Sequence, residues 1–444
     1  MELHAAPSPA RLSPVVGFAL GWLCLLLQAC TTTSFYRTHI SQTPCELSQP
    51  GACAAANLLT SQQQHFMVGF VELDDQGQFY EPRQADAVLQ LLHDEAAKPY
   101  YVCIFVHGWH HNAQDNDFNV RRFQETLGDI QQRNPDYQVL GIYVGWQGET
   151  LRVPWLRSLT FWDRKEVSEN VGRHALLEFL LQVENTLNTT GKGNNKLVTV
   201  GHSLGASVVF NALQPLFLQR LVQPADGSVR SGYGDLVVLI NPAFEAIRFA
   251  ALREAAQKYS SSYGFRPEQN PLLIVATSEG DSVTKNSFAL SQKITALFAQ
   301  HRSLEQPTSG GVKLSEWELD TTAIGHFAPF ITHRLQAQHA LSTSNCSASA
   351  GWLPTAVQRQ QSQQAAHGQA ASGAGWRADS ALLSTATGME VQHLENSAAQ
   401  DPYWVLQVAT NVMPNHGFIN QQPLWCFIEQ ALQSAAVPAL QATR

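Results

Sequence analysis

The stretch Lys196-Leu-Val-Thr-Val-Gly-His-Ser-Leu-Gly-Ala206 changes character halfway along its length. Leu197 to Val200 is apolar and rich in β-branched residues, which predicts a buried strand. The pattern Gly-x-Ser-x-Gly follows directly, and Ala206 opens a run that is compatible with a helix. A serine between a strand and a helix in this pattern sits on a sharp turn with its oxygen exposed. We therefore expect Ser203 to be a nucleophile, the alternative being an ordinary glycine-rich turn.

Length and composition indicate a large globular protein. The chain has 444 residues, of which 44% are hydrophobic and 14% are charged, and its formal net charge is −8. A chain of this size and hydrophobic content can bury a sizeable core, in one large domain or in two. Because there is no basic excess, we expect no nucleic acid among its partners.

The first 29 residues have the pattern of a signal peptide. Val15 to Ala29 is apolar but too short to span a bilayer comfortably, and Arg11 precedes it. The segment ends in Leu27-Gln28-Ala29-Cys30, which resembles the lipobox of bacterial lipoproteins. The resemblance implies cleavage before Cys30, acylation of that cysteine, and a lipid-anchored protein of the bacterial cell envelope, at the outer membrane. The alternatives are a plain secretory signal and an uncleaved anchor.

Residues 30–62 are rich in Ser, Thr, Gln and Ala, which predicts a flexible tether in front of a domain over residues 63–444. Cys45 and Cys53 bracket a short loop that contains Pro and Gly, so a disulfide can close there. Cys103 and Cys426 lie in apolar runs and are expected to be small core residues.

Strand-like and helix-like patterns alternate between Phe66 and about residue 300. This alternation predicts βαβ units, and therefore an α/β protein of three layers, with a mostly parallel, doubly wound sheet between helices. The regularity fails over about residues 302–400, which we interpret as an insertion before the last strand. Within it, residues 359–373 consist mainly of Gln, Ala, Ser and Gly and predict disorder. A strand at Tyr403 to Val408 and a final helix close the chain.

Three features together resemble the α/β-hydrolase superfamily, and most of all its bacterial esterase- and lipase-like members. They are the Gly-x-Ser-x-Gly turn, a His-Gly pair that begins at His107 after an earlier strand, and a histidine beyond the last strand. The resemblance covers most of residues 66–434. The family's order of nucleophile, acid and histidine implies Ser203, Asp281 and His416. It further implies hydrolysis of small-molecule or lipid carboxylic esters through an acyl-enzyme, without a metal or an organic cofactor.

The base and the acid each have competitors. An unassisted serine hydroxyl is a poor nucleophile, so it requires a base within hydrogen-bond reach, which a turn just after the last strand can deliver. The third group must be a buried carboxylate that fixes the imidazole, and Asp281 lies in a loop that follows a strand. The competing candidates are His202 and His326 for the base, and Glu245 and Glu279 for the acid. For His326 we expect instead a place in a lid or in the acyl pocket.

An oxyanion hole requires two N–H donors. The resemblance implies the backbone N–H groups of Leu204, directly after the nucleophile, and of Trp109, in the loop after an earlier strand. His107, His110 and His111 have no acidic or further histidine partner at metal-ligand spacing, so we expect no zinc site there. Two functions of other kinds stay open: a non-catalytic scaffold that binds lipid or a partner protein, and an acyltransferase with the same triad.

Overall fold

The structure, a computed structural model, has a large sheet flanked by helices. The signal peptide, Cys30 and the low-complexity residues 359–373 lie outside the residues that it describes, so the expectations for them stay predictions. The described residues are 35–48, 51–93, 98–148, 161–190, 194–223, 229–266, 269–297, 299–301, 314–337, 382–384, 389–394, 397–398, 400–417, 419 and 421–435.

The strands, in chain order, are β1 (Cys45–Glu46), β2 (Leu58–Ser61), β3 (Phe66–Leu73), β4 (Tyr100–Val106), β5 (Gln138–Trp146), β6 (Lys196–His202), β7 (Leu236–Ile240), β8 (Leu273–Ser278), β9 (His333–Ala337), β10 (Leu382–Ser384), β11 (Met389–His393) and β12 (Tyr403–Val408). The helices are α1 (Pro82–His93), α2 (Phe118–Arg133), α3 (Phe161–Val171), α4 (Ala175–Thr189), α5 (Leu204–Val222), α6 (Ala246–Tyr263), α7 (Ala289–Ala296), α8 (Glu316–Thr321) and α9 (Gln422–Ala435). A π-helical turn, Val283–Phe288, leads into α7, and short 3-10 turns cover Ile324–His326 and Ala328–Phe330. None of these helices is both long and apolar enough to cross a membrane.

The described strands form one mixed sheet in the order β1-β2-β3-β5-β4-β6-β7-β8-β12-β9-β11-β10. From β3 through β9 in this order all neighbours run parallel, while the antiparallel pairs lie nearer the two edges. Along β4, successive side chains enter two separate hydrophobic cores, one on each face of the sheet. Helices α1, α4 and α5 contribute to the first core, and α2 and α9 to the second. The protein is therefore α/β with a mostly parallel sheet, and helices cover both faces.

At the centre of the sheet, the helices that follow two neighbouring strands lie on opposite faces. Strands β4 and β6 are neighbours, but α2, which follows β4, packs in one core and α5, which follows β6, packs in the other. In open parallel sheets a crevice forms at the carboxyl ends of two such strands, and ligands bind there. The serine turn follows β6, so the fold places it at this crevice.

The structure differs from the expected tether of residues 30–62 in the part that it describes. Strands β1 and β2 belong to the sheet, with β2 antiparallel to β3. The predicted disulfide between Cys45 and Cys53 is present. The prediction that the fold begins near residue 63 was wrong, since it begins by residue 35. The polar composition of the segment did not indicate this packing, because a buried arginine holds the segment and its sequence has no periodic apolar pattern.

Arg37 fastens this segment to the domain. Its side chain is fully buried and lies over the ring of Phe70 at 3.8 Å. Its Nε donates to the carbonyl oxygen of Ala113 at 2.8 Å, and its backbone N–H donates to the carboxylate of Glu72 at 2.7 Å. Burial lowers the pKa of Arg37 to about 10, which leaves the guanidinium charged at neutral pH.

Replacing Arg37 by leucine should lower the free energy of unfolding by about 2–4 kcal/mol, because the carbonyl oxygens of Ala113 and Ala54 lose the donors that the guanidinium provides. Chemical denaturation followed by circular dichroism measures this change. The control Arg83→Leu removes an arginine side chain that is 70% exposed and should change the free energy of unfolding by less than about 0.5 kcal/mol. Equally small effects of both substitutions would restore the tether interpretation.

The segment predicted as an insertion contributes strands to the sheet. Strand β9 lies in its first part and β10 and β11 lie in its last part. Strand β12 sits between β8 and β9 and is parallel to both. The strand at Tyr403 was expected to be the point where ordered structure resumes, and this expectation was wrong, because β10 and β11 precede it. Strands β9 and β11 are short and mix apolar with polar residues, which made them inconspicuous beside the polar low-complexity stretch.

Two further cysteines were expected to be small core residues. Cys103 is a free, buried thiol, as predicted. Cys426 lies in the second hydrophobic core, as predicted, and it is in addition disulfide-bonded, which the sequence did not indicate.

Candidate active site

Ser203 lies at the turn between β6 and α5, in a backbone conformation that residues other than glycine rarely adopt. Its φ is 56° and its ψ is −120°, a strained combination that costs about 1–3 kcal/mol and persists only where the surroundings fix it. The N–H of Ser203 donates to the carbonyl of Ile240 on β7 at 3.0 Å, and its own carbonyl accepts from Ala243 at 3.1 Å. The predicted arrangement of strand, serine and helix is confirmed.

Glycines allow the loop after β4 to approach this turn closely. A Cβ on Gly205 would lie 2.3 Å from the carbonyl oxygens of Val106 and His107. A Cβ on Gly108 would lie 2.9 Å from the Cβ of Ser203. Any larger residue at either position would force the loop and the turn apart, so the close contact requires glycine.

The structure brings Ser203, His416 and Asp281 together in one chain of hydrogen bonds. His416 Nε2 lies 2.9 Å from Ser203 Oγ, and His416 Nδ1 lies 2.9 Å from Asp281 Oδ2. The Asp281 side chain is fully buried, whereas that of His416 is 21% exposed. An ionised carboxylate only accepts hydrogen bonds, so His416 carries its proton on Nδ1 and presents a lone pair at Nε2 to the serine hydroxyl. This is the arrangement in which an imidazole acts as a general base toward a serine.

Two side chains from neighbouring strands hold the backbone of His416. His202, the last residue of β6, donates from Nε2 to the His416 carbonyl oxygen at 2.8 Å. Asn241, directly after β7, donates from Nδ2 to the same oxygen at 2.8 Å, and its side-chain oxygen accepts the N–H of Ser278 at 2.9 Å. Burial lowers the pKa of His202 to about 3, so its ring is neutral. His202 thus positions the loop of His416.

Asp281 is held on its other side by Thr284 and, through it, by His326. The Thr284 hydroxyl donates to Asp281 Oδ2, and the backbone N–H groups of Val283 and Thr284 donate to Oδ1 at 2.9 and 3.1 Å. His326 Nε2 lies 2.9 Å from the Thr284 hydroxyl oxygen and must donate to it, because that hydroxyl already donates to Asp281. Burial alone would raise the pKa of Asp281, but the bonds from His416 and Thr284 outweigh it, and the pKa lies below its ordinary value.

The two competing carboxylates have other partners. Glu245 lies 2.6 Å from Lys165 Nζ and 2.8 Å from Arg248 Nε, so it belongs to a largely buried ion-pair network at the start of α6. Glu279 is exposed and lies 3.8 Å from Arg334. Because His416 Nδ1 bonds to Asp281, the geometry favours Asp281 over both as the acid.

Two backbone segments that adjoin Ser203 carry the expected oxyanion donors. Leu204 is the first residue of α5, and N–H groups of the first helical turn have no acceptor within the helix and lie at the positive end of its dipole. Trp109 follows Gly108, the residue that packs on Ser203, and the next N–H, that of His110, donates to Gly148 at 3.1 Å. An oxyanion hole formed by these two N–H groups requires both segments to adjoin the serine, as they do here.

Trp109 also begins an aromatic cluster next to the serine turn. Its ring meets Phe161 edge to face with the ring centroids 5.2 Å apart, and Phe161 meets Phe288 in the same way at 6.3 Å. The indole Nε1 of Trp109 is buried without a hydrogen-bond partner among the described residues. Apolar side chains and one buried N–H donor therefore follow directly on the loop that packs against Ser203.

The histidines after β4 bond to protein groups. His107 donates from Nδ1 to the carbonyl of Gly108 at 2.9 Å, and its Nε2 accepts the N–H of Trp146 at 3.1 Å. Burial lowers the pKa of His107 to about 4. His111 Nδ1 lies 3.1 Å from Asp117. Both ring nitrogens of His107 are thus occupied in fixing the loop, and within the described ranges no group of three or more His, Cys, Asp or Glu side chains is placed to hold a metal ion.

The sequence did not suggest the supporting roles of Asn241 and Thr284. Asn241 has a φ of 45°, which asparagine tolerates better than most residues, and a polar side chain directly after a buried strand was the available signal. Thr284 gives no such signal, because its role arises only from its place on the first helical turn after Asp281.

Comparison with known proteins gives no relative for this chain. No family model matches it, and neither the curated proteins nor the solved structures contain a significant match.

Proposed function

We propose that the protein is a serine hydrolase of the α/β-hydrolase type that cleaves carboxylic esters through an acyl-enzyme. The observation that carries this proposal is the unbroken chain of hydrogen bonds from Ser203 through His416 to Asp281, with 2.9 Å at each step. A strained serine and a buried carboxylate both cost stability, and a scaffold that only binds a lipid or a partner protein needs neither. The completeness of the chain therefore favours an enzyme.

In the first half of the reaction, Ser203 Oγ attacks the carbonyl carbon of the ester while His416 Nε2 takes the hydroxyl proton. Asp281 stabilises the imidazolium that forms. The N–H groups of Leu204 and Trp109 stabilise the negative charge on the carbonyl oxygen. When the tetrahedral intermediate collapses, the bond to the alcohol oxygen breaks and the alcohol leaves with the proton from His416.

In the second half, water replaces the alcohol. His416 Nε2 takes a proton from the water molecule while the water oxygen attacks the acyl carbon. The same two N–H groups stabilise the negative charge of the second tetrahedral intermediate. The bond to Ser203 Oγ then breaks, and His416 returns the proton to the serine. The products are a carboxylic acid and the original enzyme.

The surroundings of Ser203 favour an ester with an apolar acyl group. Trp109 and Phe161, which are half-buried, provide apolar surface beside the serine turn, and the buried Phe288 packs against Phe161. The lipobox-like sequence that ends at Cys30 favours a lipid-anchored enzyme of the bacterial cell envelope. We therefore infer that lipid esters or other apolar esters are its substrates and that a membrane is its partner.

Labelling with a fluorescent fluorophosphonate tests the proposal. The probe reacts with a serine that an adjacent base activates, so the wild-type protein should be labelled at Ser203, as peptide mapping by mass spectrometry identifies. Ser203→Ala should abolish the signal. The control Ser207→Ala removes a buried serine one turn further along α5 and should leave the labelling unchanged. A folded wild-type protein that stays unlabelled would contradict the proposal and favour a non-catalytic scaffold.

A further inference from the structure

The helical segment that follows Asp281 exposes a row of apolar side chains. It consists of the π-helical turn Val283–Phe288 and α7. Its inner side carries Thr284, Phe288, Gln292 and Ala296, which are buried. The apolar side chains on the outer side are Val283, Leu290, Ile294 and Leu297, which are 37%, 64%, 55% and 67% exposed. We call these four residues the apolar stripe.

Exposure of large apolar residues is concentrated in this stripe. Among the described residues eight large hydrophobic side chains are exposed, and four of them belong to this one segment. Leu290, Ile294 and Leu297 have the spacing i, i+4, i+7, which places them on one face of a helix. Contiguous exposed apolar surface on a folded protein marks a site of contact with a protein, a ligand or a membrane.

The segment of the apolar stripe is also basic. From Ser282 to Leu297 it contains Lys285 and Lys293 and no Asp or Glu, although the net charge of the whole chain is −8. Both lysines are exposed. A helix with an apolar stripe flanked by lysines has the composition of a helix that lies in the interface of a bilayer with anionic lipids.

The start of the described chain reaches the same edge of the sheet as Ser203 and Asp281. The N–H of Tyr36 donates to Glu72 near the carboxyl end of β3 at 2.8 Å, and β3 runs parallel to β6 and β8, the strands that precede Ser203 and Asp281. Four residues lie between Cys30 and Phe35, and the five steps from one Cα atom to the next span at most about 18 Å in an extended chain. An acyl group on Cys30 would therefore hold this edge of the sheet close to the lipid.

We propose that the apolar stripe rests on the surface of a phospholipid bilayer and so turns the carboxyl edge of the sheet, with Ser203, toward lipid esters. Only the nature of the substrate in this statement rests on the proposed hydrolase function. The docking itself rests on the stripe, on the lysines and on the short stretch of sequence between Cys30 and the carboxyl edge of the sheet. Apolar side chains enter the interface between headgroups and acyl chains, while the lysines remain at the anionic headgroups.

The depth of the stripe can be measured with the full, lipidated chain in vesicles of phosphatidylcholine and phosphatidylglycerol. Leu290→Cys carries an environment-sensitive dye, and the matched control Gln182→Cys carries the same dye on the exposed side of α4. Among the described cysteines only Cys103 is free, and it is buried, so within the described part of the chain no native thiol competes with the introduced one. Brominated lipids should quench most of the emission at position 290 and little of it at position 182.

Two outcomes would overturn the docking proposal. Equal quenching of both dyes by aqueous iodide would show that the stripe remains in water. A dye at position 290 that is protected from iodide but unaffected by brominated lipids would show that another part of this chain or a second copy covers the stripe. Neither outcome depends on ester hydrolysis, so each is distinct from failure of the proposed function.

A second variant links the stripe to substrate choice. Leu290→Glu/Ile294→Glu should reduce hydrolysis of an ester embedded in vesicles about tenfold more than hydrolysis of a water-soluble ester, because two apolar anchors become charged. The control Gln182→Glu/Asn185→Glu adds the same two charges to α4 and should leave the ratio of the two rates unchanged. An unchanged ratio in the stripe variant would contradict docking as the route to lipid substrates.

Discussion

Replacing His416 by alanine should lower kcat/KM for an ester by about three orders of magnitude or more, because Ser203 loses the base that is bonded to it. His416 Nε2 and Ser203 Oγ act as one unit at 2.9 Å. The double variant Ser203→Ala/His416→Ala should therefore be hardly worse than either single variant. Steady-state kinetics with a chromogenic ester measures all three, with circular dichroism to confirm that each is folded.

His326→Ala is the matched control, since it removes the histidine that sequence patterns placed in competition with His416. Its imidazole reaches the acid through the Thr284 hydroxyl, 2.9 Å away. Thr284 keeps its bond to Asp281 in this variant, so we expect kcat to fall by about tenfold or less. The loss should appear in kcat, because His326 supports the acid; the sequence-based expectation of an acyl-pocket role places it in KM instead. If His326→Ala were inactive and His416→Ala active, His326 would be the base and His416 the supporting residue.

The parts of the site that the sequence predicted are those with strong local patterns. The turn at Ser203 is encoded by a β-branched strand, two glycines and a helical run within eleven residues, and all of these act locally. His416 follows from its place after an unmistakable strand, β12. The alternation of strands and helices likewise predicted the parallel sheet, because the pattern of each βαβ unit lies within one short stretch of sequence.

The parts that the sequence left open depend on contacts between distant segments. Glu279 and Asp281 share one loop, and only the direction of each side chain decides that Asp281 points to His416 while Glu279 is exposed. Arg37 holds the first described segment through a carbonyl of Ala113 that lies 76 positions away in the chain. A single polar residue with such a distant partner produces no periodicity, so no local pattern could have predicted it.

Replacing Asp281 by asparagine should lower kcat by about three to four orders of magnitude, with a smaller effect on KM. His416 Nδ1 and the Thr284 hydroxyl both donate to Asp281 Oδ2. An amide has one acceptor atom, and its NH₂ group can only donate. When that NH₂ group faces His416, the imidazole must carry its proton on Nε2, where it no longer accepts the proton of Ser203. The rate of fluorophosphonate labelling should fall in parallel with kcat.

Two other carboxylates provide the controls for this substitution. Glu279→Gln makes the same chemical change two residues earlier, on an exposed side chain, and should leave kcat within about twofold. Glu245→Gln weakens the pairs with Lys165 and Arg248, so we expect it to lower the free energy of unfolding by about 3 kcal/mol. The kcat of the protein that remains folded should change little, because Glu245 does not support the imidazole. A folded Glu245→Gln variant without activity, beside an active Asp281→Asn variant, would transfer the acid role to Glu245 and require a different path for the proton of His416.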